Sequence, residues 1–503
     1  LFLIVIFFLM SLAMGAFVHA ITSLFLSFNP DAIIPSFGLM IVAIGVGIAV
    51  YRLKVGLGPA TIVGLALFGG LIFLGEQVPV PTYEWFLSDE GMAQVEKART
   101  EANLTAPYGA NDLVKYFQKT GNQAALKDLA TVIGSKSDMG SAQITWIVVL
   151  LGYGFLASVL PVWLLLQPRD YINSFQLYFA LALIVVGLIA AAFTGSEFNV
   201  INAEPIRTVK DAPPMFPFLF VTIACGAISG FHSLVSSGTT VRQMNKETDA
   251  LPVGYGAMLT EGALAVLVIM ACVAGLGAAA WAPGGTYASW QSISGGGLGA
   301  QLAAVVDGGA NFLSMAGIPL ALGSTFLAVT ITAFALTTLD SATRLLRFNV
   351  EEIFRSIGLD ALANRYIASF VAVLGIAGFS LVPAGKTLWV LFGTTNQLLA
   401  GLTLATVSLF LYKLSRPMWY TLIPMAIMLT MTMWAMIDSL QKFYTDKQWP
   451  LVVFSLFVIG MSVWLLVEAG LSFARGRGGL DFGDEPPHES KEEEQAAASA
   501  HLG

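Results

Sequence analysis

The sequence predicts an all-α, polytopic helical membrane protein of about twelve spans. Three observations carry that expectation. Of 503 residues, 56% are hydrophobic and only 11% are charged, whereas a soluble globule carries about 25% charged residues. The mean hydropathy is +0.75, and the apolar residues gather into stretches of roughly 20, the length of helix that crosses a hydrocarbon core. The net charge of -7 collects in one outer loop and the C-terminal tail, so it says little about partners. Nucleic-acid binding needs Lys and Arg clustered on one face, and the chain has no such cluster. Cys225 and Cys272 both lie in apolar segments and form no disulfide framework or CxxC site.

In chain order the spans are 1–27, 33–51, 56–77, 144–166, 173–194, 215–237, 254–281, 319–340, 366–384, 387–411, 418–439 and 450–472. The first opens on Leu1, Phe2, Leu3 and Ile4, with neither Met nor a basic flank. It reads as a helix cut near its beginning, not as a signal peptide. A weaker stretch at 299–317 holds Asp307, Gly308, Gly309 and Asn311. It reads as a re-entrant or pocket-lining segment, tolerated only where it is shielded from lipid. Between the third and fourth spans, residues 79–143 form a polar insert of mixed charge, in which Asp112 to Thr131 reads as two short helices. A solvated cap and a lid over the outer vestibule both fit that composition. Beyond Leu480, Glu485, Glu489 and the acidic run to Glu494 make a disordered tail.

Lys and Arg in short loops orient such a chain. One set of loop ends carries Arg52, Lys54, Arg169, Arg242, Lys246, Arg344, Arg347, Arg355, Arg365, Lys413, Arg416, Arg475 and Arg477. The opposite set carries Arg207, Lys210, Lys386, Lys442 and Lys447. The richer side is cytoplasmic, which puts both chain ends inside and the 79–143 insert outside.

Two polar stretches interrupt the apolar pattern. Gly226 to Thr240, GAISGFHSLVSSGTT, closes the sixth span with Ser229, Ser233, Ser236 and Ser237 at helical spacing and His232 among them. Gly230 and Gly238 permit a break or a close backbone approach. Broken helices expose backbone groups that hold a solute or ion near the midplane, while small residues also serve helix packing. Leu391 to Leu398, LFGTTNQL, places Thr394, Thr395, Asn396 and Gln397 together in the tenth span and predicts a second polar break. A buried polar group left without a partner costs about 1–3 kcal/mol, so these side chains face protein, water or a solute. Interhelical hydrogen-bond glue would satisfy them equally.

Ionisable residues within spans are functional candidates by default. Glu261 lies about two turns inside the seventh span with no local partner, and Asp340 ends the eighth with Arg344 one turn on. An i,i+4 pair with Arg344 would explain Asp340 structurally. His19 reads as a core histidine, and Glu76, Asp438 and Glu468 lie near span ends. Enzyme chemistry has little support: there is no HExxH, Walker A loop or CxxC pair. Ser229 and His232 stand one turn apart, yet a hydrolase needs its nucleophile and base aligned.

The segments GFHSLVSSGTT, GYGAMLTE, TTLDSATR and LFGTTNQLLA, with PRDYINSFQLY after the fourth span, resemble the signatures of the carbon starvation protein A family over residues 1–440. The resemblance implies secondary active uptake of a peptide or pyruvate across the cell inner membrane under nutrient limitation. It implies proton coupling and a fold related to the amino acid–polyamine–cation transporters, with no cofactor or metal. On that reading the substrate site is lined by His232, Ser233, Ser236, Ser237, Thr239, Thr240, Thr394, Thr395, Asn396 and Gln397, and Glu261 and Asp340 are the proton-coupling carboxylates. The partners are the small-molecule substrate, a proton or other coupling ion, and lipid. The organisation follows as 1–78, N-terminal membrane helices with a truncated first helix; 79–143, the extracytoplasmic insert; 144–477, the transport core; and 478–503, the cytoplasmic tail. Members of the family begin with further spans and a Gly- and His-rich stretch that this sequence lacks, so these residues alone are expected to transport poorly. The alternative is a membrane-embedded solute sensor, although the tail after Arg477 is too short for a folded output domain.

Overall fold

The computed structural model describes residues 2–78, 80, 84–86, 89–101, 136–202, 212–282, 285, 287–290, 297–381 and 385–474. Asp112–Thr131 and the acidic tail lie outside the described residues. Among the described residues every regular element is helical. Ten helices among the described residues are long and apolar enough to cross a membrane, and two shorter apolar helices occupy Arg365–Ser380 and Leu451–Trp464. These fall in order on the twelve segments expected from the sequence, and the chain is a polytopic helical membrane protein.

The helices are α1 (Phe2–Ser23), α2 (Ile33–Gly47), α3 (Leu57–Gln77), α4 (Asp89–Glu101), α5 (Lys136–Val159), α6 (Leu166–Thr194), α7 (Phe220–Ala227), α8 (Gly230–Val235), α9 (Ala257–Met270), α10 (Gly297–Met315), α11 (Leu320–Ser356), α12 (Arg365–Ser380), α13 (Gly385–Lys413), α14 (Trp419–Thr445) and α15 (Trp449–Ala474). Helices α4 and α5 both reach into the 79–143 insert. The chain divides into two units.

The larger unit covers 1–227 and 231–396 and is built around α11, which packs against α1, α3, α5, α6, α10 and α12. Its core includes Leu39, Phe68, Ile172, Ala180, Phe312, Leu327 and Ala333. Helix α11 ends where Gly358 takes φ 75°. The Gly358 amide bonds the Arg355 carbonyl at 3.1 Å and the Leu359 amide bonds the Phe354 carbonyl at 2.8 Å, the paired closure that a left-handed residue permits after a helix. Helix α12 then starts on Asn364, whose side chain accepts from the Tyr366 amide at 2.9 Å.

The weakly apolar segment 299–317 forms α10, which packs on α6, α11 and a π-helical turn at Ala271–Gly275. Small residues let these backbones approach closely. A Cβ on Gly308 would lie 2.1 Å from the Ala271 carbonyl oxygen, and one on Gly187 would lie 1.9 Å from that of Phe312. Most of the segment is buried against these neighbours, while Asp307 is exposed.

The smaller unit comprises 228–230 and 397–503. In it α14 packs on α15, the Ser408 and Thr421 hydroxyls meet at 2.8 Å, and Gly401 seats Leu429.

Candidate functional site

The sixth span is broken. Helix α7 stops at Ala227, Ile228 and Ser229 are not helical, and α8 resumes at Gly230 before widening into a π turn at Ser236–Thr240. Each end of such a break leaves backbone groups without intrahelical partners. Asn396 answers both ends. Its Oδ1 accepts from the Phe231 amide at 2.8 Å, and its Nδ2 donates to the Cys225 carbonyl at 3.2 Å. The Cys225 Sγ also lies 3.2 Å from Nδ2. In the smaller unit, Gln397 Nε2 donates to the Ile228 carbonyl at 3.5 Å.

The tenth span corrects one expectation: it is not broken. Helix α13 runs without interruption through the polar stretch. Thr394 Oγ1 donates to the Leu391 carbonyl at 2.9 Å, and Thr395 Oγ1 to the same carbonyl at 2.9 Å. The hydroxyls are satisfied inside their own helix, so polarity here does not require the backbone to open. Thr394, Thr395, Asn396 and Gln397 are all buried. Of the residues expected on the other wall, His232, Ser236 and Ser237 are exposed, and Ser233, Thr239 and Thr240 are half-buried. Ser237 Oγ donates to the Leu234 carbonyl at 3.2 Å. The structure thus joins Asn396 directly to the break.

Glu261 stands exposed on α9 and has no hydrogen bond or ion pair among the described residues. His19 is paired in the core, its Nδ1 lying 3.1 Å from Gln143 Nε2.

Asp340 is elsewhere, and its partner is not the expected one. It pairs with Arg169 of α6, both side chains 1% exposed, and not with Arg344. Arg344 turns to the end of α5, where Nη2 donates to the carbonyls of Ala157 at 2.8 Å and Leu160 at 2.6 Å. Arg347 Nη1 donates to the Ser158 carbonyl at 2.8 Å, and its Nε lies 3.3 Å from Glu351 Oε1. The negative end of the α5 dipole and its orphan carbonyls hold both cations. Arg169, Arg344 and Arg347 are therefore buried charges with partners inside the packing, not loop cations, and they leave the orientation count. The bias among the remaining loop residues keeps its sign.

Around Asp340 the helices share a polar seam. Tyr153 of α5 donates to Asp340 Oδ2, and Arg169 Nη1 binds the same oxygen. The Arg169 Nη1 also donates to the Tyr153 hydroxyl at 2.6 Å, and Nη2 to the Ala333 carbonyl at 2.9 Å. Further along, Asn173 Nδ2 donates to Thr337 Oγ1 at 3.1 Å, and Gln176 Nε2 to Thr330 Oγ1 at 2.7 Å. Among the described residues, Arg169 Nε, Asp340 Oδ1, Asn173 Oδ1 and Gln176 Oε1 are buried without a hydrogen-bond partner. Arg169, Asn173 and Gln176 recur at i, i+4 and i+7 and so share one face of α6. That spacing, inside PRDYINSFQLY, is the signal that would have revealed the seam.

A broken polar helix and a buried ion pair, both set among apolar spans, define a multi-pass membrane protein with a polar interior of the kind that handles solutes or ions. Comparison with known proteins narrows the class. The chain belongs to the carbon starvation protein CstA family, whose profile matches residues 128–282 and 287–435. It is 34% identical over 350 residues to the "Peptide transporter CstA" of Campylobacter jejuni, covering 59% of this chain and 49% of that protein. It is 35% identical over 353 residues to the protein of the same name from Escherichia coli, covering 59% and 50%. It is 32% identical over 382 residues to the "Pyruvate/proton symporter BtsT" of Escherichia coli, covering 59% and 51%. The chain thus spans about half the length of the curated relatives it matches. No solved structure matches it.

Proposed function

We infer that the protein takes part in secondary active uptake of a small nutrient, a peptide or pyruvate, across the cell inner membrane, driven by a proton gradient. Family membership and the names of the relatives, peptide transporter and pyruvate/proton symporter, support the reading. The observation that carries it is the break in the sixth span, with Asn396 bonded to Cys225 before the break and to Phe231 after it. Broken helices of this kind form solute and ion sites near the membrane midplane in transporter folds. His232, Ser233, Ser236, Ser237, Thr239 and Thr240 line the proposed site on one side, with Thr394, Thr395 and Asn396 shaping it. Glu261 and Asp340 are the proposed proton-coupling carboxylates. Both chain ends are assigned to the cytoplasm.

The test is uptake of labelled pyruvate and labelled dipeptides into proteoliposomes, with and without an imposed inward proton gradient. Accumulation of one class above equilibrium, abolished by a protonophore, would support the reading. Binding of either class without net movement would overturn transport in favour of solute sensing.

A further inference from the structure

A fully buried ion pair between α6 and α11 is not explained by holding two helices together, because apolar residues of similar volume commonly do that as well or better. The pair also has an asymmetry. Asp340 Oδ2 receives both the Tyr153 hydroxyl and the Arg169 guanidinium, while Oδ1 is buried with no partner among the described residues. The guanidinium is equally lopsided: Nη1 and Nη2 are engaged, and Nε is buried with no partner among the described residues. One acceptor and one donor are thus left open within a single cluster.

The charged and titratable groups facing Asp340 are Arg169 and Asp170 from α6, Tyr153 from α5 and Arg344 from α11 itself. Arg344 is committed to the carbonyls at the end of α5. Asp170 is exposed, and its carboxylate is within hydrogen-bonding reach of Thr337, one turn before Asp340. Two carboxylates therefore compete for one guanidinium, the first buried and the second open to its surroundings.

We propose that these residues form a proton-operated latch, in which Arg169 exchanges its ion pair from Asp340 to Asp170 when Asp340 takes up a proton. The proposal rests on the reading of proton-coupled uptake. A proton delivered by water forms an O–H bond at Asp340 Oδ1, the oxygen with a free lone pair, so Tyr153 need not leave Oδ2. The carboxyl becomes neutral and no longer balances the buried guanidinium. Arg169 keeps the Ala333 carbonyl as an acceptor on Nη2, and the planar guanidinium pivots about that bond so that Nη1 leaves Asp340 and the open Nε–H reaches the Asp170 carboxylate. The bond that clamps α6 to α11 at Asp340 is then released. Loss of the proton restores it. Arg169 and Asp170 act here as positioning residues for the proton on Asp340.

The latch is read without substrate, by infrared difference spectroscopy of the full chain in lipid nanodiscs as pH is varied. A carboxylic-acid C=O band is expected to grow as pH falls, to shift when aspartate carries carboxyl 13C, and to vanish in Asp340→Asn. Tyr153→Phe removes a hydrogen bond to the same carboxyl and is expected to move the band's frequency, which keeps the assignment secure if Asp340→Asn folds poorly. Asp170→Asn takes away the second anion, so the titration midpoint is expected to fall by about one pH unit, a tenfold change in proton affinity. Absence of any aspartate acid band while the protein remains folded would make the pair static and overturn the latch. A titrating band whose midpoint ignores Asp170→Asn would overturn the exchange. Failure of pyruvate and dipeptide uptake would count against the transport reading alone, since these spectra contain neither.

Discussion

Replacing Asn396 by alanine removes one amide that serves both sides of the break in the sixth span. The Phe231 amide loses an acceptor at 2.8 Å and the Cys225 carbonyl loses a donor at 3.2 Å. Each buried group left unsatisfied costs about 1–3 kcal/mol. Phe231 and Cys225 are half-buried, so each falls in the lower part of that range and the pair sums to about 2–4 kcal/mol. Cys225→Ala is the control, since it removes only the Sγ contact and leaves both backbone bonds to Asn396, and its expected effect is under about 1 kcal/mol. The assay is thermal unfolding of purified protein in detergent, followed by intrinsic fluorescence, with substrate exchange measured in parallel. Asn396→Ala is expected to lower the midpoint by several degrees and to cut exchange, whereas Cys225→Ala leaves both near the parent values. A parent-like midpoint in Asn396→Ala would refute the argument that this amide holds the break.

Gly308→Ala sets a Cβ 2.1 Å from a backbone oxygen. It is expected to destabilise by about 1–3 kcal/mol or more, seen as a lower unfolding midpoint, and an unchanged midpoint would contradict the close crossing. Ser236→Leu adds bulk at an exposed position of the π turn. Normal yield and midpoint with lost uptake are expected, while retained uptake would reduce the stretch to packing. Glu261→Gln keeps the shape of an exposed side chain on α9 but carries no titratable proton. It is expected to preserve exchange at equal concentrations and to abolish gradient-driven accumulation, and normal accumulation would remove Glu261 from coupling. Cysteines placed at Glu96 and Asp360, in a background lacking Cys225 and Cys272, are expected to react with impermeant reagents from opposite sides of the membrane. Reaction from one side would break the assigned orientation.

The helical spans were legible because lipid imposes a length and an apolar composition that survive in single segments. The break near Gly230 was legible for a related reason: Gly and Ser crowded around His232 mark a place where helix is weakly favoured. The unbroken α13 was not, because Thr394 and Thr395 return their hydroxyls to the carbonyls of their own helix, and composition cannot tell that arrangement from an opening. The partner of Asp340 was hidden by distance along the chain. Arg344 is one turn away on the same helix, but its reach is taken by the end of α5, and Arg169 arrives from 171 positions off. Arginine near a span end reads as a loop charge, and only the packing of α5, α6 and α11 shows it to be interior.

The crossing at Gly187 and Gly308 bears on how the protein can move. Helix α6 touches α10 through Gly187 and the Phe312 carbonyl, and α10 touches the turn at Ala271–Gly275 through Gly308. At these separations no side chain lies between the backbones to be squeezed or re-oriented, so sliding one helix past the next meets peptide atoms at once. The three segments travel as a single piece. Any rocking or opening during a working cycle has to be taken up outside that piece, in joints where side chains intervene, which directs a search for hinges away from α10.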